Sequence, residues 1–139
     1  MTLPELLLDI TTHYNALLRS AASQLNLTAS QAFHLISIPH NGIPMSKLAN
    51  KLGLDASTLT RNIQKLQNLG LVDRAPDSYD GRVQKAILTK QGINITEEIE
   101  ELLLHMNNLI MDQIELGSQE NIFEGLEKLV WSMDCLREK

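Results

Sequence analysis

Two short apolar faces separated by a very short connection narrow the fold most. Met45, Leu48, Ala49 and Leu52 occupy the i, i+3, i+4, i+7 positions of one helical face, and Leu59, Ile63 and Leu66 occupy i, i+4, i+7 of another. Between them lies the turn Leu52-Gly53-Leu54-Asp55. A glycine can end the first helix in a left-handed conformation, and a short carboxylate at Asp55 can accept the unpaired N–H groups that open the second. So short a connection keeps the two helices in contact at an angle, which is the helix-turn-helix layout. Gly70 marks the end of the second helix. Leu71-Val72-Asp73-Arg74 and Val83-Gln84-Lys85-Ala86-Ile87-Leu88 then read as two strands joined through the turn formers of residues 76–81. The expected fold is mainly α with a small β-hairpin wing, a winged helix-turn-helix.

The two ends of the chain read differently. Thr2 with Glu5 has capping-box spacing, and Leu3, Leu7, Ile10, Tyr14, Leu17 and Ala21 follow at alternating four and three residue steps. Thr28 with Gln31 repeats the box before a second helix that ends ahead of Pro39. His40-Asn41-Gly42 is turn chemistry, and Pro44 is expected at the start of the following helix, where a missing N–H is tolerated. Thr89 can cap a long helix running to about Leu116, with Ile95, Ile99, Leu102, Leu103, Met106, Leu109, Ile110 and Ile114 on its apolar side. After Gly117 and Ser118, Ile122, Leu126, Leu129, Met133 and Leu136 form another seam. These stripes exceed what one small winged helix can cover, and a two-fold homodimer would bury them. The organisation is therefore residues 1–26 as an N-terminal dimerisation helix, 27–89 as the winged helix, and 90–139 as C-terminal dimerisation helices.

Composition excludes several alternatives. With 139 residues, 43% hydrophobic and 21% charged, the chain has the make-up of one ordinary folded domain with extensions. No apolar run reaches the roughly 18 residues of a spanning helix, and Glu5 and Asp9 occupy the region where a signal peptide is basic, so no membrane association and a cytoplasmic location are expected. Cys135 is the one cysteine and cannot make an intrachain disulfide. The net charge is −5, yet between Pro44 and Gly92 Lys47, Lys51, Arg61, Lys65, Arg74, Arg82, Lys85 and Lys90 outnumber Asp55, Asp73, Asp77 and Asp80. A basic middle with acidic flanks suits a segment that meets an anion.

On the second helix of the pair, about 100° per residue sets Ser57, Arg61, Gln64 and Asn68 opposite the buried Leu59, with Thr58 and Lys65 beside them. Such a helix can enter the major groove of double-stranded DNA, where Arg reads guanine bidentately, Gln reads adenine, and Ser or Thr reaches bases or phosphates. Contacts from the helix N-terminal part favour Ser57, Thr58 and Arg61. At the hairpin tip, Arg82 can enter a narrow minor groove, and Asp80 can either orient that guanidinium or pair with Arg74.

The ordered run Leu27-Thr28-Ala29-Ser30-Gln31, Leu48-Ala49, Leu54-Asp55-Ala56-Ser57-Thr58-Leu59-Thr60-Arg61, Gly70-Leu71-Val72-Asp73-Arg74, Asp80-Gly81-Arg82 and Leu88-Thr89-Lys90-Gln91-Gly92 resembles the MarR family of bacterial transcription regulators. The resemblance covers residues 27–92 by motif and the helical ends by pattern. It implies a dimeric winged-helix repressor, or less often an activator, on pseudo-palindromic DNA, often released by a small phenolic or other ligand or by oxidation. It also places Ser57, Thr58 and Arg61 on the recognition helix and Arg82 in the D-x-R element of the wing. Pro44 departs from the helix-capping Ser or Thr that relatives often carry there.

The oxidation-sensing branch relies on a cysteine near the first helix, and none occurs there. His13, His34, His40 and His105 lack close metal-ligand spacing, so neither a metal nor another cofactor is expected. An effector pocket between the dimer-forming helices and the DNA-binding lobe has His13, Tyr14, Leu17, Phe33 and His34 as its candidate lining. No catalytic signature occurs, so an enzyme is not expected. The competing reading is a winged helix turned protein-interaction module, since fold does not fix function.

Overall fold

The structure, a computed structural model, describes residues 1–138. In chain order its elements are α1 (Leu3–Ser23), α2 (Ala29–Ser37), β1 (Ile43–Pro44), α3 (Met45–Leu52), α4 (Ala56–Asn68), β2 (Val72–Pro76), β3 (Gln84–Leu88), α5 (Lys90–Asp112) and α6 (Leu116–Arg137). Both capping boxes form. Thr2 Oγ1 accepts from Glu5 N while Glu5 Oε2 accepts from Thr2 N at 2.7 Å. Thr28 and Gln31 make the same exchange at 3.1 and 3.0 Å. Gly53 ends α3 at φ 69°, and Asp55 Oδ1 accepts from Thr58 N at 2.7 Å to open α4. The helix-turn-helix is thus set by local backbone chemistry.

The sheet is antiparallel, in the order β1-β3-β2. β2 and β3 form the expected hairpin, with Arg74 opposite Ala86 and Pro76 opposite Gln84. Its strands are shifted by one or two residues from the 71–74 and 83–88 read in the sequence. β1 is a correction to that reading. Pro44 does stand at the start of α3, as its N-cap with φ −55° and ψ 140° and no side-chain cap, but it also pairs with Lys85 as the end of a short strand. An edge strand accommodates a proline because one row of its backbone groups needs no partner.

Leu35, Ile38, Leu48, Leu59, Ile63, Leu66, Val72 and Ile99 are fully buried, so the core lies inside the winged helix and the first turns of α5. Thr89 joins these parts. Its hydroxyl donates to Gly70 O at 2.7 Å and accepts from Gly92 N at 3.0 Å, and its backbone N–H donates to Leu71 O at 3.1 Å. Gly92 packs so closely on Leu71 that a Cβ there would collide with the Leu71 carbonyl oxygen. The Thr89–Gly92 segment is therefore the seam between the hairpin and α5.

The chain divides into two compact units, Met1–Leu103 and Leu104–Lys139. In the first, α1 buries Leu18, Ala21 and Ala22 and exposes Leu3, Leu6, Leu8, Ile10 and Tyr14. In the second, α6 buries no residue, and Phe123, Leu126, Val130, Trp131, Met133 and Leu136 are all exposed. α5 ends at Asp112 instead of about Leu116, and α6 begins at Leu116, so Gly117 and Ser118 lie inside a helix. Gln119 Nε2 explains the earlier break, donating to the carbonyls of Met111 and Ile114 at 3.1 and 3.3 Å. It satisfies acceptors that the end of α5 leaves open. Among the described residues, no helix is long and apolar enough to cross a membrane.

Candidate nucleic-acid interface

α4 buries Leu59, Ile63 and Leu66 and exposes Ser57, Arg61, Gln64 and Lys65, with Thr58 half-buried between the two faces. The exposed side chains are partly organised within the helix. Ser57 Oγ donates to Asp55 Oδ1 at 2.9 Å, Arg61 Nη2 rests 3.5 Å from Thr58 Oγ1, and Gln64 Nε2 donates to Asn68 Oδ1 at 3.1 Å. The backbone N–H of Thr58, then the hydroxyls of Ser57 and Thr58, hold the Asp55 carboxyl below the usual aspartate range, and Arg61 adds a smaller Coulombic contribution. All of these contacts are solvent-exposed. Exchanging them for contacts to another polar surface leaves no buried group unpaired.

The edge of α4 beside Lys65 carries a contact absent from the sequence reading. His34, 3% exposed on α2, has Nδ1 2.6 Å from Ser30 O and Nε2 3.1 Å from Asn62 Nδ2. The neutral ring with its proton on Nδ1 satisfies both, donating to the carbonyl and accepting from the amide. Burial lowers the His34 pKa, outweighing the Ser30 bond that raises it. His34, Asn62, Lys65, Thr28, Ser30, Gln31 and Leu66 line a cavity of about 140 Å³. The other candidate effector residues do not line it: His13 and Tyr14 are exposed, Leu17 is half-buried, and Phe33 is 50% exposed. α2 thus turns His34 toward α4 and Phe33 toward solvent.

Two carboxylates organise the wing. Asp80 Oδ1 accepts from Arg82 N and Nε at 3.1 Å, and its Oδ2 accepts from Arg82 Nη2 at 3.3 Å. Of the two arginine partners open in the sequence, Arg82 is the one engaged, and its side-chain bonds lead the causes that lower the Asp80 pKa. Arg74 is exposed on β2. Asp77, not singled out in the sequence, accepts from the backbone N–H groups of Tyr79 and Asp80 at 3.1 Å and lies 3.7 Å from Lys85 Nζ. Lys85 Nζ also donates to Asn41 O at 3.0 Å, tying the wing to the turn before β1. The Asx turn that Asp77 forms has a local signature, an aspartate two and three residues before the N–H groups it binds.

Two helices at a glycine turn, followed by a hairpin that a third strand extends, define a winged helix-turn-helix protein. The MarR family model matches residues 23–83, from the end of α1 into the hairpin. The chain is 35% identical over 69 residues to the uncharacterised HTH-type transcriptional regulator YybA of Bacillus subtilis, covering 49% of this chain and 46% of that protein. It is 28% identical over 96 residues to the transcriptional regulator AdcR of Streptococcus pneumoniae, covering 69% and 66%. The aligned parts thus span less than two thirds of either relative. A solved structure of a mutant of E. coli MarR complexed with operator DNA superposes with a TM-score of 0.78 at 26% identity, covering 91% of this chain and 92% of that chain. Over residues 23–83 the chain is therefore similar to the MarR family of transcriptional regulators, and its fold is that of the solved MarR structures.

Proposed function

We propose that this protein is a cytoplasmic, non-catalytic transcriptional regulator, a repressor, that binds pseudo-palindromic double-stranded DNA as a homodimer and is released by a small-molecule effector. The observation that carries the reading is α4, whose apolar face is fully buried while Ser57, Arg61, Gln64 and Lys65 stand outward next to a capped N-terminus. The structural likeness to a MarR–operator complex supports the same reading. Arg61 reads guanine and Gln64 adenine, Ser57 and Thr58 reach bases or phosphates, and Lys65 meets the backbone. Arg82 enters the flanking minor groove, with Arg74 and Asp80 as support for the wing.

Residues 27–89 form the reading lobe, and residues 1–26 and 90–139 pair with a second copy. The exposed apolar residues of α1 and α6 favour this arrangement, because contiguous apolar helix faces are covered by a partner in stable soluble proteins. Two identical lobes related by a two-fold axis match a target with inverted half-sites one helical turn apart. An effector contacting His13, Tyr14, Leu17, Phe33 or His34 shifts the dimer by its differential affinity for the DNA-competent and incompetent states.

Selection of bound duplexes from a randomised pool near physiological salt, with Arg61→Ala in parallel, tests the reading. Enrichment of an inverted repeat that the variant fails to enrich is expected. Salt-sensitive background binding with no enriched sequence contradicts it and favours a protein-interaction module.

A further inference from the structure

The wing tip presents two outward side chains on a fixed backbone. Tyr79 is 99% exposed and the Arg82 side chain 92% exposed. Isolated exposed aromatics are common on protein surfaces and carry no meaning alone. This one sits on a turn that its own chain immobilises. Asp77 Oδ2 accepts from Tyr79 N and from Asp80 N, Asp77 N donates to Val83 O at 2.8 Å, and Val83 N donates to Asp80 O at 3.0 Å. Lys85, itself anchored on Asn41 O, pairs with Asp77 from behind. Both acids at the tip are engaged by donors of the wing, Arg82 among them, so the tyrosine ring, the small Ser78 hydroxyl and the outer edge of the Arg82 guanidinium are what the tip offers to a surface. A ring with an apolar body and a polar end matches the minor-groove wall, where deoxyribose carbons alternate with phosphate oxygens.

We propose that Tyr79 is a DNA-contacting residue whose ring lies on the deoxyribose wall of the minor groove beside the entry point of Arg82, and that Asp77 is the positioning residue that holds it there. The backbone ordering exists before binding, so contact at the tip does not have to fix a flexible loop. The inference deepens the proposed DNA reading and rests on it.

The test uses the enriched duplex and full-length protein carrying Tyr79→Ala, Tyr79→Phe, Asp77→Ala, Asp77→Asn, Arg61→Ala or Lys65→Ala, with affinity measured against salt and sugars mapped by hydroxyl-radical cleavage. Tyr79→Ala is expected to weaken binding about tenfold without altering melting temperature or salt slope, whereas Lys65→Ala flattens that slope. Protection of the outermost sugars disappears in Tyr79→Ala and Asp77→Ala while the central protections stay. Tyr79→Phe keeps most of the affinity. Asp77→Asn, whose amide oxygen can still accept both backbone N–H groups, restores the outer protection that Asp77→Ala loses. If Arg61→Ala weakens binding but Tyr79→Ala binds and protects like the wild type, this inference falls and the DNA reading stands. If no duplex is enriched, both fall.

Discussion

The winged-helix lobe and the terminal helices solve the burial problem in opposite ways. In the lobe, α3, α4 and the sheet bury Leu48, Leu59, Ile63, Leu66, Val72 and Leu88, Asp55 caps α4, Thr89 caps α5, and Lys51 Nζ donates to Ser37 O at the end of α2 at 2.9 Å. α6 is as regular a helix yet buries nothing, and α1 exposes five large apolar residues between Leu3 and Tyr14. A segment that closes its own core can present a polar face to a ligand. One that leaves its apolar face open has surface available for a partner, the second copy of the proposed function. Under the proposed function, the contrast corresponds to reading by the middle of the sequence and assembly by its ends.

The largest expected effect falls on assembly. Leu126→Glu, on the exposed seam of α6, should remove an apolar contact from both sides of a two-fold interface, a loss of about 3–6 kcal/mol at roughly 1.5–3 kcal/mol per buried leucine. Sedimentation equilibrium would read this as a more than hundredfold weaker dimer, and an unchanged association state would break the division of labour. Gly92→Ala attacks the lobe instead. Forcing a methyl onto the Leu71 carbonyl should cost about 3 kcal/mol, at the upper end of overpacking penalties, seen as a lower denaturant midpoint.

Arg61→Ala should leave stability unchanged and reduce affinity for the selected duplex by about 1–3 kcal/mol, with relaxed preference at one base pair. If it also lowered the melting temperature substantially, α4 would not separate a folding face from a reading face.

The smallest effects concern protons. Burial lowers the His34 pKa from its ordinary 6.5, so the unfolded chain takes up a proton that the folded chain refuses. Stability should therefore decline as pH falls from about 6.5 toward the folded value and then level off. Melting curves across this range should show a shallower decline for His34→Gln than for the wild type. Asp55 works in the more acidic direction: its lowered pKa stabilises the fold above the unfolded value, and that contribution is lost as pH falls through the folded value. Asp55→Ala should lower the melting temperature by a few degrees at neutral pH, with the difference vanishing in acid.

What the sequence made legible was local. Capping boxes, the left-handed glycine, the N-cap aspartate and the periodic faces each depend on residues within a turn or two of each other, and all appear in the structure. The features it concealed depend on tertiary distance or on competition between equally good local signals. His34 meets Asn62 across 28 positions, Lys85 meets Asn41 across 44, and β1 exists only because β3 is there to pair with it. The α5–α6 break was misplaced because Gly117 and Ser118 look like punctuation, whereas the Gln119 side chain sets the stop earlier. Arg82 and Arg74 could not be told apart as partners of Asp80 until the hairpin turn fixed which guanidinium could reach it.

The most direct test of a two-lobed DNA reader is to change the spacing of the enriched inverted repeat. Inserting about five base pairs, half a helical turn, between the half-sites rotates them to opposite faces of the duplex. Affinity is expected to collapse toward that of a single half-site and to return in part when a full turn is inserted. Equal affinity at every spacing would show that the chains bind independently and would contradict a two-lobed reader.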